Sequence, residues 1–157
     1  MTFKRILLAA ALAVSFVPPA AGQDSTEVPY WASVRASEVN MRVGPGEDYR
    51  ILWVYKRQHL PLKVLRMKEG WRFVQDPDGA QGWVLARFLT RQRTAFVRGG
   101  DAAEMHEAAD PASRLRWRLA PGVVGLLGDC DKGWCVLTVG PRRGFVPEAR
   151  LWGAGEP

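Results

Sequence analysis

Two short landmarks of this sequence occur twice, in the same order and at nearly constant spacing. EGWRFV at 69–74 resembles KGWCVL at 132–137, and QGWVLARFL at 81–89 resembles RGFVPEARL at 143–151. The offsets between the copies are 63 and 62 residues. A fixed spacing of this kind is typical of an internal structural repeat, in which each copy is one folding unit.

Two further matches lie upstream and keep the same register. VNMR at 39–42 corresponds to AEMH at 103–106, and Trp53 corresponds to Trp117, both at an offset of 64 residues. Because chance does not produce such a series in register, the sequence predicts two copies of one unit of about 60 residues.

The repeat also predicts how the chain is divided. We place the first unit at 31–92 and the second, more diverged unit at 93–153, with a linker at 23–30 and a tail at 154–157. The joint at 90–93 is very short, so we expect the two units to pack side by side.

Alternating apolar and polar residues predict strands within each unit. Val39, Met41 and Val43 alternate with Asn40 and Arg42, which predicts a strand with these three apolar side chains on one face. Such a strand has one buried face and one face towards solvent.

Further short strands follow, separated by turn residues. ILWVY at 51–55 is β-branched and aromatic, LPLKVLRM at 60–67 alternates, and DPDG at 76–79 is turn chemistry between two strands. After residue 22, no stretch of 12 residues has a clean helical period. The pattern predicts an all-β fold, a small barrel or sandwich for each unit.

The N-terminus has the layout of a cleavable secretory signal at 1–22. Lys4 and Arg5 precede an uncharged run over 6–17, after which Pro18, Pro19 and small residues follow. The run is 12 residues long, whereas a membrane-spanning helix needs about 20. We therefore expect a periplasmic or secreted protein with no transmembrane segment after signal cleavage.

The charge of the chain gives little support to nucleic-acid binding. The chain has 22 Lys and Arg against 16 Asp and Glu, and loss of residues 1–22 would lower the net charge from +6 to +4. Basic residues are scattered, and no block of five like charges occurs. We read them as a solvated surface with weak attraction to an anionic envelope.

The first unit resembles the bacterial SH3-like (SH3b) domain family. The residues that carry the resemblance are Asn-Met-Arg at 40–42, Gly-Pro-Gly at 44–46, Tyr49, Gly-Trp at 70–71 and Gly-Trp-Val at 82–84. The resemblance implies two tandem small SH3-like β-barrels. It also implies an exported module that binds cell-wall peptides or partner proteins.

The second unit departs from this pattern in one place. It keeps Gly-Trp at 133–134 and Gly-Phe-Val at 144–146, but EAADPASRLRW at 107–117 stands where the Gly-Pro-Gly loop would be. The resemblance therefore implies the fold of the second unit, without a ligand surface built on that loop.

Two common catalytic motifs are missing from the sequence, whereas spacing along the chain does not decide whether carboxylates pair for acid–base catalysis. No serine lies in a Gly-x-Ser-x-Gly elbow. His106 and Glu107 begin a metalloprotease-like pattern, but Asp110 occupies the position of the second histidine. We expect no enzyme activity, no cofactor and no metal.

Cys130 and Cys135, in GDCDKGWCVL, are the only cysteines of the chain. Neither a zinc site nor a redox motif fits, because two cysteines cannot supply four ligands and four residues separate them. A calcium loop fails because Gly133 occupies its third ligand position.

The repeat instead predicts a disulfide between these cysteines. Cys130 aligns with Met67 and Cys135 with Arg72, on the two strands that flank the Gly-Trp turn. If the loop is 131–134, the cysteines oppose each other across the hairpin, within disulfide reach. An exported protein meets an oxidising compartment. Two buried thiols are the alternative.

Seven tryptophans suggest a binding surface, but we assign most of them to structure. Trp71, Trp83 and Trp134 recur after glycine at strand starts, and we expect them in the core or covering turns.

The ligand-binding candidates lie at and beside the Gly-Pro-Gly loop. The resemblance places this region beside a peptide groove, and aromatic rims with a nearby arginine suit extended peptides and carboxylates. The candidates are Tyr49, Trp53, Arg42 and Asp48.

Two functions follow. The first is a non-catalytic module that recognises cell-wall peptide, with the partner being that peptide or an envelope protein. The second is a structural adaptor that docks a periplasmic enzyme without binding the wall itself.

Overall fold

The chain is all-β over residues 27–157, the part that the computed structural model describes. The predicted signal peptide and the first half of the predicted linker, residues 23–26, lie outside these residues. Within 27–157 the only helical elements are two 3₁₀ turns of three residues each, and no helix is long and apolar enough to cross a membrane.

The first of two seven-stranded sheets is built from the first repeat. Its strands are β1 (Tyr30–Val34), β2 (Val39–Arg42), β3 (Ile51–Tyr55), β4 (Pro61–Lys68), β5 (Trp71–Gln75), β6 (Gln81–Leu85) and β7 (Leu89–Thr90). The hydrogen-bonded order is β3-β2-β6-β5-β4-β1-β7, with all pairs antiparallel. A 3₁₀ turn at Ala86–Phe88 separates β6 from β7.

The second sheet repeats this topology element for element. Its strands are β8 (Thr94–Val97), β9 (Ala103–His106), β10 (Leu115–Leu119), β11 (Val124–Asp131), β12 (Trp134–Val139), β13 (Arg142–Pro147) and β14 (Leu151–Trp152). The order is β10-β9-β13-β12-β11-β8-β14, and a 3₁₀ turn at Glu148–Arg150 precedes β14. Each repeat is one SH3-like β-barrel, as the resemblance implies.

Strand alternation builds the core of each barrel. On β4, β5 and β6 of the first barrel, Val64, Val74 and Val84 point inward and are fully buried. The second barrel has its own cluster, which includes Val97, Leu137, Val146 and Leu151. Two separate clusters, one for each barrel, follow from two copies of the same inward-facing pattern.

Val43 does not belong to the core, so the prediction of three buried residues on β2 is wrong for this one. The strand ends at Arg42, and the ladder with β3 shifts register between Met41 and Arg42. This bulge turns the chain outward into the following loop, and Val43 is 44% exposed.

Each barrel closes where a methionine lies over a glycine on the neighbouring strand. A Cβ atom at Gly82 on β6 would lie 2.6 Å from Met41 Cγ and 2.8 Å from the Arg42 carbonyl oxygen. At Gly144 on β13 the corresponding distances, to Met105 Cγ and the His106 carbonyl oxygen, are 2.6 and 2.7 Å. Glycine is required here because the strands approach too closely for any side chain.

The β11–β12 hairpin carries the disulfide that the sequence predicts. Cys130 and Cys135 face each other in register, their Cα atoms are 4.0 Å apart, and their sulfur atoms are bonded. The loop is shorter than 131–134, because Asp131 and Trp134 already pair and only Lys132 and Gly133 turn the chain. Both turn residues have positive φ, 48° and 81°, as a two-residue type I′ turn requires.

The two barrels pack against each other, as the short joint predicts. Trp31 and Trp152 meet edge to face with ring centroids 5.2 Å apart, and the Trp31 indole nitrogen donates to the Gly155 carbonyl oxygen at 3.1 Å. Arg57 of the first barrel also donates to the Gly122 carbonyl oxygen of the second. Because Gly155 lies beyond β14, residues after that strand take part in the contact with the first barrel.

Reduction of the disulfide is expected to lower the free energy of unfolding by about 2 kcal/mol, because it frees a short loop in the unfolded chain. Urea unfolding of the wild type with and without reductant measures the difference. A Cys130→Ala/Cys135→Ala variant shows whether the reductant itself has an effect. Equal midpoints for the wild type in both conditions would contradict the expectation.

Gly82→Ala is expected to cost about 1–3 kcal/mol of stability, because its Cβ atom would overlap Met41 and the backbone of β2. Gly70→Ala is the matched control, since a Cβ atom there meets nothing within 4 Å. Thermal or urea unfolding of the two variants gives the comparison. Equal free energies of unfolding for Gly82→Ala and Gly70→Ala would contradict the role assigned to Gly82.

Candidate functional site

The Gly-Pro-Gly loop makes a seat for the ring of Tyr49. A Cβ atom at Gly44 would lie 2.4 Å from Tyr49 Cδ1, and one at Gly46 would lie 3.1 Å from Tyr49 Cδ2. The φ of Gly44 lies outside the left-handed region, so its backbone conformation does not require glycine. Glycine is required here because a side chain would overlap the Tyr49 ring. The seated ring remains 50% exposed, so the loop fixes an aromatic side chain at the surface.

Arg42 fixes the same loop from the end of β2. Its Nη1 atom donates to the Tyr49 carbonyl oxygen at 2.7 Å, and the Val43 amide donates to the Arg50 carbonyl oxygen at 3.1 Å. The remaining N–H groups of this half-buried guanidinium have no hydrogen-bond acceptor within residues 27–157. Arg42 and Tyr49 are thus the two predicted site residues that contact each other.

Trp53 and Asp48 lie on the same hairpin but contact neither Arg42 nor Tyr49 through a polar bond. Trp53 faces Met41 in the β2–β3 register and is 60% exposed. Asp48 is exposed in the loop, and no ion pair or side-chain hydrogen bond of Asp48 is found in the described part of the chain. The four predicted residues therefore lie on one hairpin, and a hydrogen bond connects two of them, Arg42 and Tyr49.

Strand β3 gives this hairpin an apolar free edge. Ile51, Leu52 and Trp53 are consecutive and all exposed, and among the strands of residues 27–157 β3 pairs with β2 alone. Exposed apolar residues on an unpaired edge strand mark a surface where another chain can dock.

A buried hydrogen bond anchors β3 at its far end. The Tyr55 hydroxyl donates to Asp76 Oδ2 at 3.0 Å, while Asp76 Oδ1 accepts from the Asp78 and Ala80 amides at 3.0 and 2.8 Å. Burial, with the adjacent Asp76 carboxylate, raises the pKa of Tyr55 far above its usual range. Tyr55 is therefore a neutral hydrogen-bond donor that holds the hairpin to the β5–β6 turn.

A row of side chains beside the hairpin was not among the sequence predictions. Phe73 and Trp83 meet with ring centroids 5.2 Å apart, and the Arg66 guanidinium lies 4.2 Å from the Phe73 centroid. The cross-strand register Ile51↔Arg42↔Trp83↔Phe73↔Arg66 connects this row to the predicted site. Alternation on β5 and β6, opposite the buried Val74 and Val84, is the signal that could have found it.

Trp71 is buried, which confirms its assignment to the structure of the barrel. Trp83, a member of the row, is only half-buried. Trp134 is half-buried against His106, with ring centroids 5.6 Å apart. The three tryptophans that follow glycine therefore have different environments. Trp83 is the one of the three that lies beside the predicted site and exposes part of its ring there.

The second barrel differs at the equivalent edge. Where β3 has Leu52 and Val54, β10 has Arg116 and Arg118, which pair with Glu107 and Glu104 at 3.7 and 3.4 Å. Charged residues of this kind discourage docking on an edge strand.

The position of Arg42 is taken by His106 in the second barrel. His106 is only 5% exposed, and its Nδ1 atom lies 3.1 Å from the Ser113 carbonyl oxygen. The surface that combines an exposed aromatic hairpin with an arginine therefore occurs only in the first barrel, as the missing Gly-Pro-Gly loop predicts.

Comparison with protein families matches the bacterial SH3 domain at residues 35–90 and again at 99–153. A protein of Bacillus subtilis (strain 168) named "Putative N-acetylmuramoyl-L-alanine amidase YrvJ" is 27% identical over 137 residues, covering 79% of this chain. The match covers 26% of that protein, so the chain spans about a quarter of the length of this curated relative.

Two solved structures from Trichomonas vaginalis, NlpC2 and NlpC1, match with a TM-score of 0.37 and 11% identity each. They cover 79% and 82% of this chain and 48% and 47% of their own lengths. The two family matches fall on the two barrels described above, one on each. The chain therefore belongs to the bacterial SH3 domain family, of which it carries two tandem copies.

Proposed function

We propose that this protein is an exported, non-catalytic module that recognises cell-wall peptide through its first barrel. One observation carries the proposal: the β2–β3 hairpin presents an exposed aromatic pair, Tyr49 and Trp53, beside a positioned guanidinium at Arg42. The second barrel contributes a rigid partner for the first.

The chemistry of this surface suits an extended, carboxylate-bearing peptide. Aromatic rings give contact area with few rotatable bonds, and a guanidinium can bind a carboxylate through two parallel hydrogen bonds. Tyr49 is held by its glycine seat, and Arg42 by its bond to the Tyr49 carbonyl. Little side-chain entropy would then be lost when a ligand binds.

Two findings support the cell wall as the source of the peptide. The name of the Bacillus subtilis relative describes an amidase of N-acetylmuramoyl-L-alanine, which joins a sugar to a peptide. The Cys130–Cys135 disulfide fits a protein that works in an oxidising compartment outside the cytoplasm.

The competing function is an adaptor that docks a periplasmic enzyme without touching the wall. The apolar edge of β3 could serve such a partner equally well, because an edge strand can pair with a protein segment. Binding to protein-free peptidoglycan distinguishes the two functions.

The purified protein is expected to sediment with protein-free peptidoglycan sacculi. Tyr49→Ala/Trp53→Ala should weaken this binding at least tenfold, on the order of 1.4 kcal/mol, because both aromatic anchors are lost. Quantitative co-sedimentation over a range of sacculus concentrations gives the affinities.

Met67→Ala/Leu126→Ala is the matched control, since it removes two exposed apolar side chains outside the hairpin. This variant should bind as the wild type does. Retention by protein-containing envelopes alone would favour the adaptor function, and undiminished binding of Tyr49→Ala/Trp53→Ala would rule out the hairpin as the site.

Gly44→Ala is expected to weaken the same binding several-fold while changing the free energy of unfolding by less than about 1 kcal/mol. The added methyl group would occupy the place of the Tyr49 ring at the surface, where the displaced ring can turn into solvent. Gly46→Ala is the milder control, because its nearest contact is 3.1 Å rather than 2.4 Å. If Gly44→Ala bound like the wild type, the seated conformation of Tyr49 would be irrelevant.

A further inference from the structure

A second cluster of cations lies on the first barrel, away from the β2–β3 hairpin. The Arg91 guanidinium stacks on the ring of Tyr30, with its central carbon 3.5 Å from the ring centroid. Arg72 Nε donates to the hydroxyl oxygen of the same tyrosine at 2.9 Å. Two positive charges thus share one aromatic side chain on β1.

Arg72 is fixed by three hydrogen bonds through Nε and Nη1, which leaves the N–H groups of Nη2 to bind a ligand. Its Nη1 atom donates to the carbonyl oxygens of Glu69 and Trp71 at 3.2 and 3.0 Å. No acceptor for its Nη2 atom is found in residues 27–157. Glu69 contacts it only through the backbone, since no ion pair joins the two side chains within that range.

Arg91 is exposed and has even more donors to offer. Over the described residues it forms no ion pair and no side-chain hydrogen bond, and its guanidinium stacks on Tyr30. The chain end at Pro157 lines a neighbouring pocket with Tyr30 and Arg91, but within residues 27–157 neither arginine forms an ion pair, so an anion bound beside both would gain favourable charge interactions.

The two arginines open onto one small pocket. It has a volume of about 200 Å³, and besides Tyr30, Arg72 and Arg91 its lining residues are all uncharged and come from β1, the first 3₁₀ turn and β7. One of them, Thr90, adds a hydroxyl group. A space of this size, with cations and no carboxylate in its wall, has the donor set for a small anion.

We propose that this pocket binds an oxyanion, the carboxylate or phosphate group of a larger envelope molecule. Arg72 supplies a guanidinium fixed by its bonds to backbone carbonyls, and Arg91 supplies a second guanidinium in the lining of the same pocket. Both groups can present paired N–H donors to two oxygens of one carboxylate or phosphate. The site is independent of the hairpin surface, so it stands whether or not the first barrel binds cell-wall peptide there.

The internal repeat shows that the pocket is particular to the first barrel. Met67 and Arg72 form a cross-strand pair on β4 and β5, and the pair at the same position in the second barrel is Cys130 and Cys135. A disulfide occupies the place of the arginine there. The second barrel therefore lacks the arginine on which the proposed site depends.

NMR titration of the ¹⁵N-labelled protein tests the site, with acetate and dimethyl phosphate as probes at constant ionic strength set by chloride. Each probe carries one negative charge, so the better binder identifies the source of the oxyanion. We expect saturable shifts at the amides near Tyr30 and Thr90 and at the Arg72 Nε–H, with a Kd on the order of millimolar.

Arg91→Gln and Arg72→Gln should each weaken the better probe about tenfold or more, because each removes a charged donor. Arg91→Gln is the decisive variant if Arg72→Gln fails to fold, since Arg91 is exposed and forms no hydrogen bond or ion pair through its side chain within residues 27–157. Tyr30→Phe keeps both charges and removes the oxygen that positions Arg72, so a smaller loss of affinity is expected.

Arg142→Gln/Arg143→Gln is the charge control, because it removes two exposed cations from the second barrel and should leave the Kd within about twofold. The proposal is overturned if neither probe gives saturable shifts at these positions. It is also overturned if the shifts persist in the Arg91→Gln variant or fall equally in the charge control.

Discussion

The close approach of two strands at a methionine and a glycine is the contact on which each barrel depends. β2 and β6 share only the pair Arg42↔Trp83, and β9 and β13 share only His106↔Phe145. At that short seam no Cβ atom fits on the glycine strand, and the methionine fills the space from the other side. An unbranched thioether adapts to such an irregular gap better than a branched side chain would.

The contact between methionine and glycine also fixes the direction of the next residue on the methionine strand. Since Met41 is fixed inward, its neighbour Arg42 must point outward, where it reaches the loop of Tyr49. In the second barrel the same constraint places His106 outward, but Trp134 and the 107–114 loop cover it. One scaffold thus supports an outward-pointing arginine in one copy and a buried histidine in the other.

The repeat, the strand-rich fold and the disulfide could be predicted because each depends on local spacing. The cysteine register follows from residues within one hairpin, although the turn has two residues where the sequence predicted the loop 131–134. The partial exposure of Trp83 could not be predicted in this way, because it depends on the register of β6 with both β5 and the distant strand β2. Tyr30, Arg72 and Arg91 come from β1, β5 and the joint after β7, so no spacing along the chain could indicate that they meet.

Val43 illustrates a different limit. Its place in the alternation is correct, but a bulge ends the strand one residue earlier, and bulges leave little trace in a single sequence. The candidates Tyr49, Trp53, Arg42 and Asp48 came from a family resemblance, which gave the hairpin, while the bond between Arg42 and Tyr49 required coordinates.

The contact of Trp31 with Trp152 and Gly155 has a consequence for the evolution of the repeat. The two copies look modular along the sequence, yet the last residues of the second lie against the first strand of the first. A single copy cut at the joint would expose one of the paired indoles to water. The C-terminal residues of the second copy therefore form part of the surface on which the first copy rests, so the boundary of the sequence repeat is not a boundary of side-chain packing.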